Sequence, residues 1–420
     1  MHYDTGASPV QRALPLKVLI GLAARNVGRN KARSALSLAA IAAGVAGLIL
    51  SGGFVHDLIR QLGEFVIHSQ SGHIQIAKAG YFESGTRFPG KYLMSPDDLR
   101  RAETGIPEKA EVMRRISFSG LASNGLSSYP IVGEGIEPDR ESRLGTFMVL
   151  MEGRNLSPKD QYGALVGAGV ARAMDLKPGS LISLVAPTVD GAMNTVDVEV
   201  TGIFQSYSKD YDERIVKISL ARAQELLNTR GVNVLVLLLS DTRNTARVAS
   251  LLVAEIKALG LEFRTWDQLN DFYRKTVDLY DRQFGVLRLI VLIMVILAVV
   301  GAVNMGVLER VGEFGTMRAL GNTSWDVMRL VMLEGLLMGA LGATIGVITG
   351  MGSAWVISQV GIPMPPPPNS NLAYTARILL LPSVIAGAFF VGAFATVLAS
   401  VIPALRVSRL PVVEALRRLV

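Results

Sequence analysis

Residues 289–308, LIVLIMVILAVVGAVNMGVL, contain no charged side chain. At ~1.5 Å rise per residue, a helix of that length crosses the ~30 Å of hydrocarbon in a bilayer. The run therefore predicts a membrane helix, and three further stretches share its character. Residues 34–55 are uncharged and rich in Ala and Gly, and residues 378–402 are apolar with Pro382 near the start. Residues 327–360 are broken up by Gly335, Gly339, Gly342, Gly346 and Gly350. Gly339 and Gly346 are seven apart, and small residues on one stripe permit close helix contact. Between the last two spans, PMPPPPNSN at 363–371 cannot be helical in its proline run and reads as a stiff outer loop.

The chain has 420 residues, 50% of them hydrophobic, which exceeds one ordinary domain and fits membrane helices beside a second part. Cysteine is absent, so disulfide and thiolate chemistry are excluded. The net charge of +7 raises nucleic acid as a partner, but its distribution argues otherwise. Residues 57–283 hold 27 Lys and Arg against 29 Asp and Glu. The excess cation clusters beside apolar runs at Arg25, Arg29, Lys31 and Arg33, and at Arg406, Arg409, Arg417 and Arg418. That is the positive-inside pattern, so no nucleic-acid partner is expected.

Residues 1–13 read as disordered, and no cleavable signal is expected. Residues 16–33 alternate Leu19, Leu22 and Val27 with Arg25, Arg29 and Lys31, as a helix lying on the cytoplasmic interface does. Leu58, Leu62, Phe65 and Val66 continue helical spacing beyond the first span, and residues 266–284 lead amphipathically into the second. Both read as stalks. Between them the apolar runs are too short to span. GHIQIA (72–77) and TVDVEVTGIF (195–204) alternate with period two, as strands do. NVLVLLL, a helix with Val248, Leu251, Ile256 and Leu259, and EFRTW form a strand, helix, strand unit. A mixed α/β domain outside the membrane follows.

Beyond residue 308, Val311, Phe314, Met317 and Leu320 recur three apart, opposed by Glu313 and Arg318, giving a short helix with a narrow apolar face. Gly321 reads as its stop, and Thr323 or Ser324 as the cap of the next helix with Asp326 in its first turn. By spacing alone this is either a compact knob at the membrane surface or a connecting loop.

At these residues the chain resembles the permeases of the FtsX, LolC/LolE and MacB type. The resemblance rests on the run E-R-x-x-E-x-G-x-x-R-A-L-G at Glu309, Arg310, Glu313, Gly315, Arg318, Ala319, Leu320 and Gly321, with Glu334 and Gly335 opening the next span. It extends to R-N-x-x-R-N-x-x-R at Arg25, Asn26, Arg29, Asn30 and Arg33, to the pattern of residues 165–185 in the outer domain, and to Pro403, Ala404, Arg406, Glu414, Ala415, Leu416 and Arg417. It implies a permease subunit whose coupling helix docks in a groove of a separate ATPase, with Glu309, Arg310, Glu313, Phe314, Met317, Arg318, Leu320 and Gly321 as the contact. It further implies two ATPase copies, a second permease chain (the same or related), membrane lipid as surroundings and an extracytoplasmic adaptor or acceptor. Glu334 has two readings: a coupling contact with a partner helix or the ATPase side, or a carboxylate snorkelling to the cytoplasmic interface. In lipoprotein-releasing members a long loop hands cargo to a chaperone; here the corresponding link is only PTVDGAMNT (187–195), which puts a hand-off of that kind in doubt.

Chemistry in this chain is not expected. No G-x-x-x-x-G-K-[ST] loop exists, so ATP belongs to a partner and no cofactor is expected here. Ser206 and Lys209 fit S-x-x-K without its companion motifs, and His2, His56, His68 and His73 lack a ligand set for zinc. The expected architecture is four transmembrane helices with an inserted mixed-sheet α/β domain on helical stalks. The expected division is a tail and interfacial helix at 1–33, a span at 34–56, a stalk at 57–71, the α/β domain at 72–265 and a second stalk at 266–288. A span at 289–308, the coupling helix at 309–326, a span at 327–360, an outer loop at 361–377, a span at 378–402 and a tail at 403–420 complete it. Both termini are then cytoplasmic and the large domain extracytoplasmic. The function expected is transmission of ATP-driven motion for export or release of a lipid, lipoprotein, peptide or other amphiphile. The alternative is a regulator that activates an envelope protein such as a cell-wall hydrolase without transport.

Overall fold

The computed structural model describes residues 15–29, 31–85, 89–106, 110–366, 370, 373–409 and 411, without the side chains of Arg33 and Pro89. The disorder expected at 1–13, Asn30, part of the proline run and the terminal match at Glu414 to Arg417 lie outside the described residues. The chain forms two compact units, one of Met1–Leu58, Asp278–Ile362 and Thr375–Val420, the other of Ile59–Val277 and Pro363–Tyr374.

The first unit is built on α1 (Leu16–Arg29), α2 (Lys31–Val66), α3 (Asp271–Glu309), α4 (Val311–Ala319), α5 (Ser324–Val360) and α6 (Pro382–Ser408). Among the described residues four helices are long and apolar enough to cross a membrane, those containing α2, α3, α5 and α6. Span and following stalk are not separate elements in α2, because Asp57 ends the apolar run without breaking the helix. α3 likewise runs uninterrupted from Asp271.

Glycine determines how closely α5 is packed. The structure divides the stripe that the sequence suggested into two. Gly335 and Gly339 face Ser400 and Thr396 of α6, whereas Gly342, Gly346 and Gly350 face Ile41, Ala42 and Ala46 of α2. A Cβ on Gly346 would lie 2.8 Å from the Ala42 carbonyl oxygen and 2.7 Å from the Val45 Cβ, and backbone cannot rotate away. Gly346→Leu is expected to cost ~1–3 kcal/mol as overpacking, read as a lowered melting temperature in detergent. Gly352→Leu, with nothing within 4 Å of the added Cβ, is expected to melt like the parent.

Among the described residues the second unit carries a mixed sheet of ten strands: β1 (Ile74–Lys78), β2 (Glu111–Ser123), β3 (Ser128–Ile136), β4 (Val149–Gly153), β5 (Gly163–Gly167), β6 (Leu181–Pro187), β7 (Met193–Gln205), β8 (Ile215–Ser219), β9 (Val234–Leu238) and β10 (Leu261–Thr265). Their order is β10-β1-β9-β2-β3-β8-β5-β7-β4, with β6 paired to β2 and β7. β3–β8 and β5–β7 are parallel. The alternation read in β7 holds: Val196, Val198 and Val200 are buried and Asp197 and Glu199 exposed. The strand, helix, strand unit is present as β9, Thr245–Ala258 and β10, with β1 between the two strands. β6 and β7 join through a tight turn closed by the Thr188 N–H donating to the Ala192 carbonyl at 2.7 Å, with Gly191 at φ 86°.

A wholly buried charge cluster crosses this sheet. Glu134 on β3 and Lys217 on β8 are register partners. Arg115 on β2 donates to Glu141 at 2.6 Å and to the Gln70 carbonyl at 2.8 Å. Lys217 donates to Glu141 at 3.1 Å, and the Tyr211 hydroxyl to Glu134 at 2.9 Å. Two cations and two anions sum to zero, which is how four charges persist without water. Burial alone would raise the Glu141 carboxyl; Arg115 and Lys217 outweigh it and hold the group below its ordinary range.

His73 is a buried, neutral imidazole. Its Nδ1 accepts from the Leu239 N–H at 3.1 Å, so Nε2 carries the hydrogen toward the Thr242 hydroxyl at 3.1 Å, which donates to Glu64 at 2.8 Å. Burial lowers its pKa from 6.5 to about 4. The unfolded imidazole takes a proton near 6.5 and the folded one only near 4, so His73 contributes stability that is lost as pH falls through that window. The melting temperature is expected to fall between pH 6.5 and 5, with a shallower slope in His73→Gln. Ser206 and Lys209 form no reactive pair: the Ser206 hydroxyl donates to the Ser208 carbonyl and its amide to Asp212. Among the described residues no group of three or more His, Asp or Glu is placed to hold a metal ion.

Candidate functional site

α3 ends at Glu309, and Arg310, at φ −111° and ψ 14°, breaks the helix before α4 begins. α4 closes on Gly321 at φ 96°, with the Asn322 N–H donating to the Met317 carbonyl at 3.1 Å. A positive φ with this backward bond is the usual glycine stop. Thr323 then caps α5 reciprocally: its hydroxyl accepts from the Asp326 N–H at 3.1 Å and its own N–H donates to Asp326 at 3.0 Å. Of the two candidate caps, Thr323 serves.

The apolar face of α4 turns inward. Val311 and Phe314 are each 3% exposed. Phe314 packs with Leu19 and Ala23 of α1 and with Val327, Leu330 and Val331 of α5, and Met317 is half-buried against the same group. The resemblance implies Phe314 and Met317 as part of the ATPase contact, whereas the neighbouring helices of this chain cover most of this apolar face, and the repeat of three reports that burial. Leu320 remains, 81% exposed, together with Thr316 and Ala319 and, just beyond, Trp325. Gly321 is exposed, and Glu309 and Arg318 flank this surface.

Glu334 is neither free nor snorkelled. Arg310, its side chain 11% exposed, donates to both Glu334 oxygens at 2.9 and 3.0 Å. The same guanidinium donates through Nε to Glu313 at 2.8 Å and lies 5.1 Å from the Phe314 ring centre. α1 completes the knot: the Asn26 amide donates to Glu334 at 2.5 Å, and Arg29 pairs with Glu313. Burial opposes the charge on Arg310 and Glu313, and the ion pairs outweigh it: Arg310 is held further up and the Glu313 carboxyl below its ordinary 4.5. Two cations and two carboxylates thus tie three elements beside a cavity of about 60 Å3. The resemblance put Arg310 in the ATPase contact and left Asn26 and Arg29 without partners. The spacing R-N-x-x-R, which sets Asn26 and Arg29 three apart on one helix face, was the available signal.

Fold and site define a four-span membrane protein with an inserted mixed-sheet domain and a clamped reversal between its second and third spans. Residues 34–255 match the MacB-like periplasmic core domain and residues 285–412 the FtsX-like permease C-terminal domain. The chain belongs to this family of ABC transporter permeases, of the LolC/LolE and MacB type. It is 23% identical over 340 residues to the lipoprotein-releasing system transmembrane protein LolC of Neisseria meningitidis, covering 77% of this chain and 78% of that protein. It is also 23% identical over 337 residues to LolE of Haemophilus influenzae, covering 76% and 79%. Among solved structures, the periplasmic region of MacB from Actinobacillus actinomycetemcomitans aligns with 50% of this chain and 94% of its own at 14% identity, with a TM-score of 0.35.

Proposed function

We propose that this chain is the permease half of an ATP-driven complex, receiving motion from a separate ATPase at α4 and passing it to the mixed-sheet domain for export or release of a lipid, lipoprotein, peptide or other amphiphile. The observation that supports this best is the knot of Arg310, Glu334, Glu313, Asn26 and Arg29. A loop would absorb a push; a reversal bonded to α1 and α5 moves with them. Leu320, Thr316, Ala319 and Trp325 form the contact surface in this reading, and Arg310 and Phe314 are its internal support. Two permease chains and two ATPase copies assemble, with both termini cytoplasmic and the mixed-sheet domain outside. ATP is bound and hydrolysed by the partner. Names of the LolC and LolE relatives favour a lipoprotein as cargo, and the short β6–β7 turn argues for a release route without their loop. The test is ATP hydrolysis by the reconstituted complex in liposomes. Stimulation by an added lipoprotein or lipid supports transport, whereas stimulation only by an envelope protein such as a cell-wall hydrolase overturns it in favour of regulation.

A further inference from the structure

The membrane unit holds a second polar feature, remote from the knot. α2, α3 and the start of α6 line an open cleft of about 560 Å3, within the size range of small-molecule sites, with His56 and Arg288 exposed at it. Its walls are Leu48, Leu289, Leu292, Val384 and Val391, and its polar residues are His56, Arg288 and Ser383. The polar three share one end. Gly52 faces Val384 while Gly392 faces Val45, and Phe54 lies by Phe284 while Gly44 faces Val295, so α2 runs opposite to both α6 and α3, and His56, Arg288 and Ser383 stand where α2 leaves and α3 and α6 enter the apolar layer.

Three observations bear on the occupant. First, the cleft carries cation without anion: no carboxylate lines it, and none of the described residues forms a hydrogen bond or ion pair with Arg288. A guanidinium at the edge of hydrocarbon is costly unless something neutralises it. Second, the His56 Nδ1 is committed to the Gly52 carbonyl at 2.8 Å, leaving Nε2 for another partner, and α6 begins at Pro382 without a side-chain cap, so its positive end adds to the same field. Third, Leu48 to His56 is eight residues, ~12 Å of helix, close to one half of a ~30 Å hydrocarbon layer. A ligand filling the cleft is therefore as deep as one leaflet, apolar along its length and anionic at its head.

We propose that this cleft binds one anionic phospholipid, its phosphate at Arg288 and Ser383 and one acyl chain along Leu48, Leu292 and Val391. The site does not depend on the coupling reading, because its readout involves neither ATPase nor cargo. The full-length chain, purified in detergent, is to be titrated with phosphatidylglycerol or phosphatidylcholine and examined by native mass spectrometry. A single-lipid adduct favouring phosphatidylglycerol about fivefold is expected from one basic residue at the headgroup level. Arg288→Gln is expected to erase that preference, Leu292→Trp to suppress both adducts by filling the cleft, and Arg282→Gln, on the same helix outside the cleft, to change nothing. Melting temperatures near the parent value identify the variants as folded. Equal binding of the two lipids by the parent chain would overturn the proposal, as would an effect of Arg282→Gln matching that of Arg288→Gln. Displacement of the lipid by inorganic phosphate alone would reduce the site to an anion site and overturn it likewise.

Discussion

Glu141→Gln is expected to lower the melting temperature of the mixed-sheet domain on the order of 10 °C, from a loss of ~3–5 kcal/mol typical of a broken buried ion pair. The reason is arithmetic of charge. Arg115 and Lys217 both donate to the Glu141 carboxylate, and Lys217 is fully buried. Removing the carboxylate leaves two cations facing Glu134 alone, in a place that water does not reach. Adding Lys217→Met restores neutrality and is expected to recover much of the loss, since replacing a whole buried pair costs far less than removing one partner. Thermal melts of parent, single and double variants in detergent check this. Equal melting of Glu141→Gln and parent would contradict the burial of the cluster.

The second large effect concerns α4. Leu320→Asp places a charge at an 81% exposed position, so the fold is expected to persist. If Leu320 is an apolar anchor of the ATPase contact, the change costs on the order of 2 kcal/mol, roughly thirtyfold in affinity. Glu334→Gln is expected to act differently. It removes the negative charge and one of the two oxygens to which Arg310 donates, and weakens the tie between α4 and α5. Association with the ATPase then survives, while cargo-stimulated hydrolysis falls. Co-purification and hydrolysis, measured on both variants, separate docking from transmission. Met317→Asp is a less clean probe, because Met317 packs against the group around Phe314.

The difference between those residues shows what was legible in the sequence. Uncharged runs and period-two strands are local signals, and the four spans and the mixed sheet follow from them. The caps at Gly321 and Thr323 are local as well. A repeat of three at Val311, Phe314 and Met317 reports an apolar face but not what covers it, and the cover came from Leu19, Ala23 and Val327. Glu313 and Arg29 are 284 positions apart, and Arg115, Glu134, Glu141 and Lys217 meet only because β2, β3 and β8 are neighbours in the sheet. No window of sequence contains such a pairing. The glycines of α5 fall between these cases: their spacing announced close contact, but the allotment of Gly339 to α6 and Gly346 to α2 needed the packed helices.

The absence of cysteine permits a direct measurement at the proposed contact. Leu320→Cys would be the chain's single thiol. In cells co-expressing the ATPase, a thiol-to-amine crosslinker is expected to join Leu320→Cys to the ATPase, leaving Leu126→Cys on the mixed-sheet domain unjoined. The opposite outcome, in which Leu320→Cys reacts with a membrane-impermeant maleimide from outside intact cells and captures no ATPase, would contradict force entry at α4.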